Sequence, residues 1–261
     1  MLLPPKLSIQ ALEAWYGDQP ALRGVDLDVA PFGVTALLGP TGAGKSTLLR
    51  CINRMHELSP GARARGSVRV RGSVRLDGRE LYDPSVDPVM LRRRLGLVAA
   101  EPTLFPSMSI RDNVLAGLRM TGQRLGPIRE NEIVTRALQE VALWGELRGQ
   151  LDQRGRGLAR GQLQRLCIAR ALALEPEVLL LDEPCAGLDS LATAKIEDLL
   201  HALRSRTTIV LATHDVKQAA RVAQHTAFLF EGELIEHASS DVFFTSPEDR
   251  RTEDYITGKF S

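Results

Sequence analysis

The sequence predicts an α/β fold, a parallel sheet core interrupted by a helical insert, on three observations. A buried-looking strand, Val34-Thr35-Ala36-Leu37-Leu38, runs into a glycine-rich stretch at 39–44 and then into the helical pattern KSTLLRCINRM. Residues 107–175 carry apolar residues at three-and-four spacing, as in RENEIVTRALQEVALWGEL and RGQLQRLCIARALALE. Strand patterns then return: Val178 to Leu181 before an acidic pair, Thr208 to Ala212 before Thr213-His214, and Ala227 to Phe230 before Glu231-Gly232.

Composition sets the frame for these elements. The chain has 261 residues, 44% hydrophobic and 25% charged, with a net charge of +1. That apolar content and near-neutrality exclude intrinsic disorder and leave room for a substantial core. Three cysteines, Cys51, Cys167 and Cys185, are too few and odd in number for a disulfide scaffold, and read as reduced thiols of a cytosolic protein. No apolar run approaches the roughly 18 residues of a spanning helix, and MLLPPKLSIQ shows no secretory signal. The balance of 33 basic against 32 acidic residues gives no global drive toward nucleic acid or anionic lipid.

Residues 7–38 alternate apolar and polar over short stretches (LSIQAL, VDLDVA), as strands with one buried face do. At 66–77 a six-residue unit is duplicated, GSVRVR then GSVRLD. Val68, Val70, Val74 and Leu76 fall at even positions, and Arg69, Arg71 and Arg75 at odd ones. A two-residue period predicts a half-buried strand or hairpin with a solvated arginine face, and the even repeat length keeps both copies in phase. No aromatic residue interleaves for base stacking. The polar ending RRTEDYITGKFS reads as a docked or frayed tail.

Gly39-Pro40-Thr41-Gly42-Ala43-Gly44-Lys45-Ser46 fits G-x-x-x-x-G-K-[ST] at every position, after a strand and before a helix. The glycines let successive backbone N–H groups converge on phosphate oxygens, and the helix N-terminus adds its dipole. Lys45 supplies a point charge to the β- and γ-phosphates, and the Ser46 hydroxyl is a Mg²⁺ ligand. The apolar strand 178–181 ends in Asp182 and Glu183. Beside a phosphate loop, Asp182 can hold Mg²⁺ through water and Glu183 can polarise an attacking water. His214 also ends a strand, where a γ-phosphate could accept its hydrogen bond.

The phosphate loop, Leu158-Ala159-Arg160-Gly161-Gln162, the LLLDEP strand, Gly187-Leu188-Asp189 and Thr213-His214-Asp215, in that order, resemble the ATP-binding subunits of ABC transporters over nearly the whole chain. The strings at 52–66, 81–98, 165–184 and 251–260 look, more narrowly, like those of phosphate importers. The resemblance implies a single ABC ATPase domain over 1–261: a P-loop NTPase (RecA-like) core at 7–98 and 163–248, with an N-terminal antiparallel β region. It further implies an inserted helical signature subdomain at 99–162 and a C-terminal tail at 249–261.

The resemblance also implies ATP and Mg²⁺ as cofactors and two subunits sandwiching two ATP molecules head to tail, each phosphate loop facing the partner's signature segment. Tyr16 matches the aromatic residue that stacks on adenine, with Trp15 as its competitor. Glu183 matches the general base, His214 the γ-phosphate switch and Asp189 the loop that senses the other subunit. The implied catalytic set is Glu183, His214 and Lys45. The nucleotide-binding set is Tyr16, Gly39, Pro40, Thr41, Gly42, Ala43, Gly44, Lys45, Ser46, Thr47, Gly161, Gln162 and Asp189, and the metal set is Ser46 and Asp182. Implied partners are a second ATP-binding subunit, two membrane-spanning permease subunits on the groove beside 99–120, and indirectly a phosphate-binding protein. No nucleic acid is expected, and the implied place is the inner face of the plasma membrane.

Three segments depart from the family pattern. Ala100 stands where a glutamine is usual, two residues before Pro102. The signature reads Leu158-Ala159-Arg160-Gly161-Gln162 in place of Leu-Ser-Gly-Gly-Gln, and Cys185-Ala186-Gly187 replaces Thr-Ser-Ala. These changes leave ATP binding in prospect and admit a second reading, a hydrolysis-impaired regulatory subunit. A soluble repair or translation ATPase is disfavoured by the single phosphate loop and the absence of sustained heptads.

Overall fold

The computed structural model describes residues 4–58 and 68–259. Strands β1 (Leu7–Tyr16) and β2 (Gln19–Val29) form an antiparallel hairpin across the turn Gly17-Asp18. In β1 the buried side chains are Leu7 and Ile9, then Leu12 and Ala14. Strand faces alternate every residue, so this switch from odd to even positions needs one extra residue. Ala11, at φ 45°, is that residue, and its N–H donates to Asp26. β3 (Gly33–Leu38) leads through the glycine loop into α1 (Lys45–Ile52).

β4 (Val68–Leu76) pairs antiparallel with β1 and carries the described part of the duplication as one strand. Gly72, at φ 99°, faces the bulge, and a Cβ there would lie 2.4 Å from the Ala11 carbonyl oxygen. Val74 and Leu76 are buried, Val70 is half-buried and the three arginines are exposed, as the two-residue period predicts. Gly66 and Ser67 lie outside the described residues, as does part of the 52–66 string. β5 (Arg79–Glu80) completes a four-stranded sheet of order β2-β1-β4-β5.

Next come α2 (Pro88–Arg94) and β6 (Leu95–Val98), then the helical layer: α3 (Ile110–Met120), α4 (Pro127–Glu140), the short α5 (Trp144–Leu147) and α6 (Arg160–Leu172). Ser109 and Asp112 close a capping box at the start of α3. α6 packs on α3, α4 and β6 and runs unbroken through 162–163, so helical layer and core share this helix. The chain then alternates β7 (Val178–Asp182), α7 (Ser190–Leu203), β8 (Thr208–Thr213), α8 (Val216–Val222) and β9 (His225–Phe230). It closes with β10 (Glu233–Ser239), α9 (Ser240–Thr245) and α10 (Arg250–Ile256).

The second sheet has the order β10-β9-β3-β8-β7-β6, parallel except for β10 against β9. β7 and β8 are buried along their whole length because both faces are covered. Leu179 and Leu181 point into the cluster under the helices, and Val178 and Leu180 into the one shared with α1 and the antiparallel sheet. Each strand extends one residue past its apolar run, so Asp182 and Thr213 end strands. The described part of the tail is docked: α10 sets Tyr255 against Phe228 of β9, ring centroids 4.9 Å apart.

Candidate nucleotide-binding site

The ends of β3, β7 and β8 meet at a cleft of about 530 Å³, lined by the glycine loop, the start of α1, Tyr16, Ala100, Glu183 and His214 among others. Close approach dictates the loop's composition. A Cβ on Gly39 would lie 2.1 Å from the Leu229 carbonyl oxygen. Gly44, at φ 104°, stands at the N-cap of α1 and offers no side-chain acceptor, so no side chain caps the first-turn N–H groups. A Cβ there would meet the Ala21 carbonyl oxygen at 2.7 Å. A backbone shaped this way presents donors and a positive dipole end to an anion.

Charged groups gather at the cleft. Lys45 Nζ donates to the Gly39 and Pro40 carbonyls (2.6 and 3.0 Å) and stands 3.5 Å from Glu183 Oε1. Burial pulls its ammonium below the ordinary lysine value, and the Glu183 charge opposes that pull. Glu183 holds φ 47° at the end of β7, its backbone N–H bonded to Ala212 O. Its other carboxylate oxygen lies 2.8 Å from His214 Nδ1. A non-glycine residue in this backbone region is strained, which fits a side chain aimed by its surroundings.

Ser46 Oγ donates to Asp182 Oδ1 at 2.9 Å, and burial raises the pKa of that carboxyl. A hydroxyl and a desolvated carboxylate side by side are hard oxygen donors. Among the described residues no cluster of three His, Cys, Asp or Glu side chains could hold a metal. Mg²⁺ takes one or two protein oxygens and fills its shell with water and phosphate, so the Ser46–Asp182 pair fits it.

Also on the cleft, the Tyr16 hydroxyl is 3.2 Å from Thr47 Oγ1. Trp15 is turned elsewhere, under the guanidinium groups of Arg69 and Arg71 at 5.6 and 5.5 Å. The structure therefore brings Tyr16, Thr41–Thr47, Glu183 and His214 to one cleft. Gly39, Pro40 and Asp182 stand just behind its lining, bonded to Lys45 and Ser46, and Gly161, Gln162 and Asp189 stand outside it. Gln162 accepts from the Ala159 N–H and donates to Glu146, while Asp189 caps α7 by accepting from the Ala192 N–H.

Sequence reasoning missed Gln19, Pro20 and Ala21, which line the cleft just past the β1–β2 turn. It also missed an ion pair that joins Arg160 of the altered signature to Glu101, the neighbour of Ala100. Arg160 donates to Glu101 at 2.9 Å and to the Ala186 carbonyl at 3.2 Å. A second cleft of about 370 Å³, between β6 and the helical layer, is lined by Leu97, Ala99, Glu101, Phe105, Met120 and Cys167 among others.

The ABC transporter family profile matches residues 22–186. The chain is 48% identical over 260 residues to the phosphate import ATP-binding protein PstB of Tropheryma whipplei (strain TW08/27), covering 97% of this chain and 98% of that one. It is 46% identical over 263 residues to PstB of Rubrobacter xylanophilus, covering 98% and 90%. Among solved structures it resembles cbiO1 of Clostridium perfringens, part of the ABC transporter complex cbiONQ, with TM-score 0.77, 27% identity and coverage of 98% and 97%. It also resembles the dimeric ATP-binding cassette MJ0796 in a post-hydrolysis state with ADP and Pi, with TM-score 0.74, 26% identity and coverage of 90% and 98%.

Proposed function

The chain belongs to the ABC transporter family, and on that premise we propose that it is the ATP-hydrolysing subunit of a phosphate importer. The observation that carries the ATPase reading is the convergence of Lys45, Ser46, Glu183 and His214 on one cleft that Tyr16 also lines, with Asp182 bonded to Ser46.

The loop amides and Lys45 hold the triphosphate, and Tyr16 offers its ring to the base. Ser46 and Asp182 would hold Mg²⁺, which supplies charge neutralisation between the phosphates. Glu183 accepts the proton of the water that attacks the γ-phosphate, and His214, bonded to Glu183, orients that carboxylate. Ala100, Ala159 and Arg160 leave this cluster intact, so the chain is read as an active ATPase.

Phosphate as cargo rests on the relatives' names. Two permease subunits would dock on the ATP-binding subunits at the groove beside 99–120, a second ATP-binding subunit would face the signature segment, and a phosphate-binding protein would act outside the membrane. No helix among the described residues is long and apolar enough to cross a membrane, so attachment to the inner face of the plasma membrane would run through the permease.

Mg²⁺-dependent ATP turnover by the purified protein, with and without its permease, tests the reading. Glu183→Gln is expected to lower turnover by about 10²–10⁴-fold while calorimetry still registers ATP binding. Unchanged turnover in that variant would overturn the assignment of the base.

A further inference from the structure

The C-terminal string, one of those that carry the narrower resemblance, has no part in the reading above, yet the structure sets it against the catalytic cluster. Glu236 of β10 accepts from the Glu248 and Asp249 N–H groups at 2.9 and 3.2 Å, which fixes the entry to α10. Asp249 then caps that helix through the Arg251 N–H. α10 lays the Tyr255 ring on Phe228, and the Tyr255 hydroxyl donates to the backbone carbonyl of His214 at 3.3 Å. The phenol is pushed up to about 12 by burial and then by the nearby Glu183 charge, so it stays a donor at any working pH.

His214 sits on the short turn between β8 and α8. The turn is tied on one side by Thr213 Oγ1, which accepts from the Asp215 N–H, and at its helical end by the Asp215 cap on α8. Its imidazole is more than half exposed, so packing does little to hold the ring over Glu183. A peptide unit whose carbonyl is pinned by the tail can rotate less, and the imidazole it carries keeps its line to the carboxylate.

We infer that Tyr255 is a positioning residue of the ATPase reaction: through the His214 carbonyl it fixes the turn that presents the imidazole to Glu183. The inference rests on Glu183 and His214 acting as described under the proposed function.

Tyr255→Phe removes the hydroxyl and keeps the ring on Phe228. The expected result is a fall in kcat of about three- to tenfold, the size of one neutral hydrogen bond, with KM for ATP changed by less than about twofold. In a His214→Ala background the same substitution is expected to change kcat by less than about twofold, because its effect passes through the imidazole. Hydrogen exchange of the 211–218 peptide is expected to speed up in Tyr255→Phe while peptides of β3 stay as they were. Unchanged kcat, a loss that multiplies fully with His214→Ala, or unchanged exchange at 211–218 would each overturn the inference. Glu183→Gln tests the underlying reading alone, so a failure at Tyr255 leaves that reading standing.

Discussion

Ala159→Ser tests how the altered signature segment is built. Residue 159 is the N-cap of α6, with φ −62° and ψ 153°, an exposed position and no side-chain acceptor. Half of a capping box already exists, since Gln162 Oε1 accepts from the Ala159 N–H at 3.0 Å. A serine hydroxyl would accept from the Gln162 N–H and complete the box without meeting packed atoms. Alanine-to-serine at an N-cap is worth about 0.5–2 kcal/mol, typically near 1. At this chain length that corresponds to a rise in Tm of roughly 2–4 °C per kcal/mol. Thermal unfolding at fixed protein and nucleotide concentration reads the effect, and an ATPase assay on the same sample reads whether the hydroxyl also touches a phosphate. A higher Tm with unchanged turnover makes the serine a cap only, and a rise in both gives it two roles. An unchanged Tm refutes the capping argument.

Two further perturbations follow from the geometry. Gly39→Ala places a Cβ 2.1 Å from a backbone carbonyl that cannot swing aside, so the loop must shift; calorimetry should register loss of ATP binding, and retained affinity would refute the close-approach argument. Glu177, bonded first to Arg94 and then to Lys6, is held at about 2 against an ordinary 4.5. Its folded-state value is depressed, so its contribution to stability is present above about pH 4.5 and is lost as pH falls toward about 2. Urea midpoints of the protein and Glu177→Gln should converge across that window, and a gap independent of pH would contradict the assignment.

The glycine loop and the strands before it were legible because their physics admits few residue types. Gly39 and Gly44 answer to backbone atoms within 3 Å of an added Cβ, and β7 and β8 are continuous apolar runs because both faces are covered. β10 was not legible: ELIEHAS lies at the sheet edge, half-buried at best, so its pattern is mostly polar. The Ala11 bulge left only a slip in the alternation of β1, which short apolar stretches conceal. The contacts of Arg160 with Glu101 and of Tyr255 with His214 span 59 and 41 residues, and no local pattern records such a pairing.

That Arg160–Glu101 contact also decides how the departures act. The polar side chains missing at Ala100 and Ala159 have charged neighbours, Glu101 and Arg160, and these neighbours bind each other. Ala100 and Ala186 line the nucleotide cleft, whereas Glu101 and Arg160 do not. Arg160 and Glu101 therefore bridge the loop after β6, the start of α6 and the loop after β7 from outside the cleft. Both side chains are well exposed, so the pair adds at most about 1 kcal/mol to stability. Its weight lies in geometry, because it ties the helical layer to two segments bordering the phosphate end of the cleft. Lys45, Ser46, Asp182, Glu183 and His214 keep their mutual contacts with alanine at 159 and arginine at 160. On the proposed pairing with a second ATP-binding subunit, the altered signature is expected to show itself in how the two chains close on each other, not in the chemistry at the γ-phosphate.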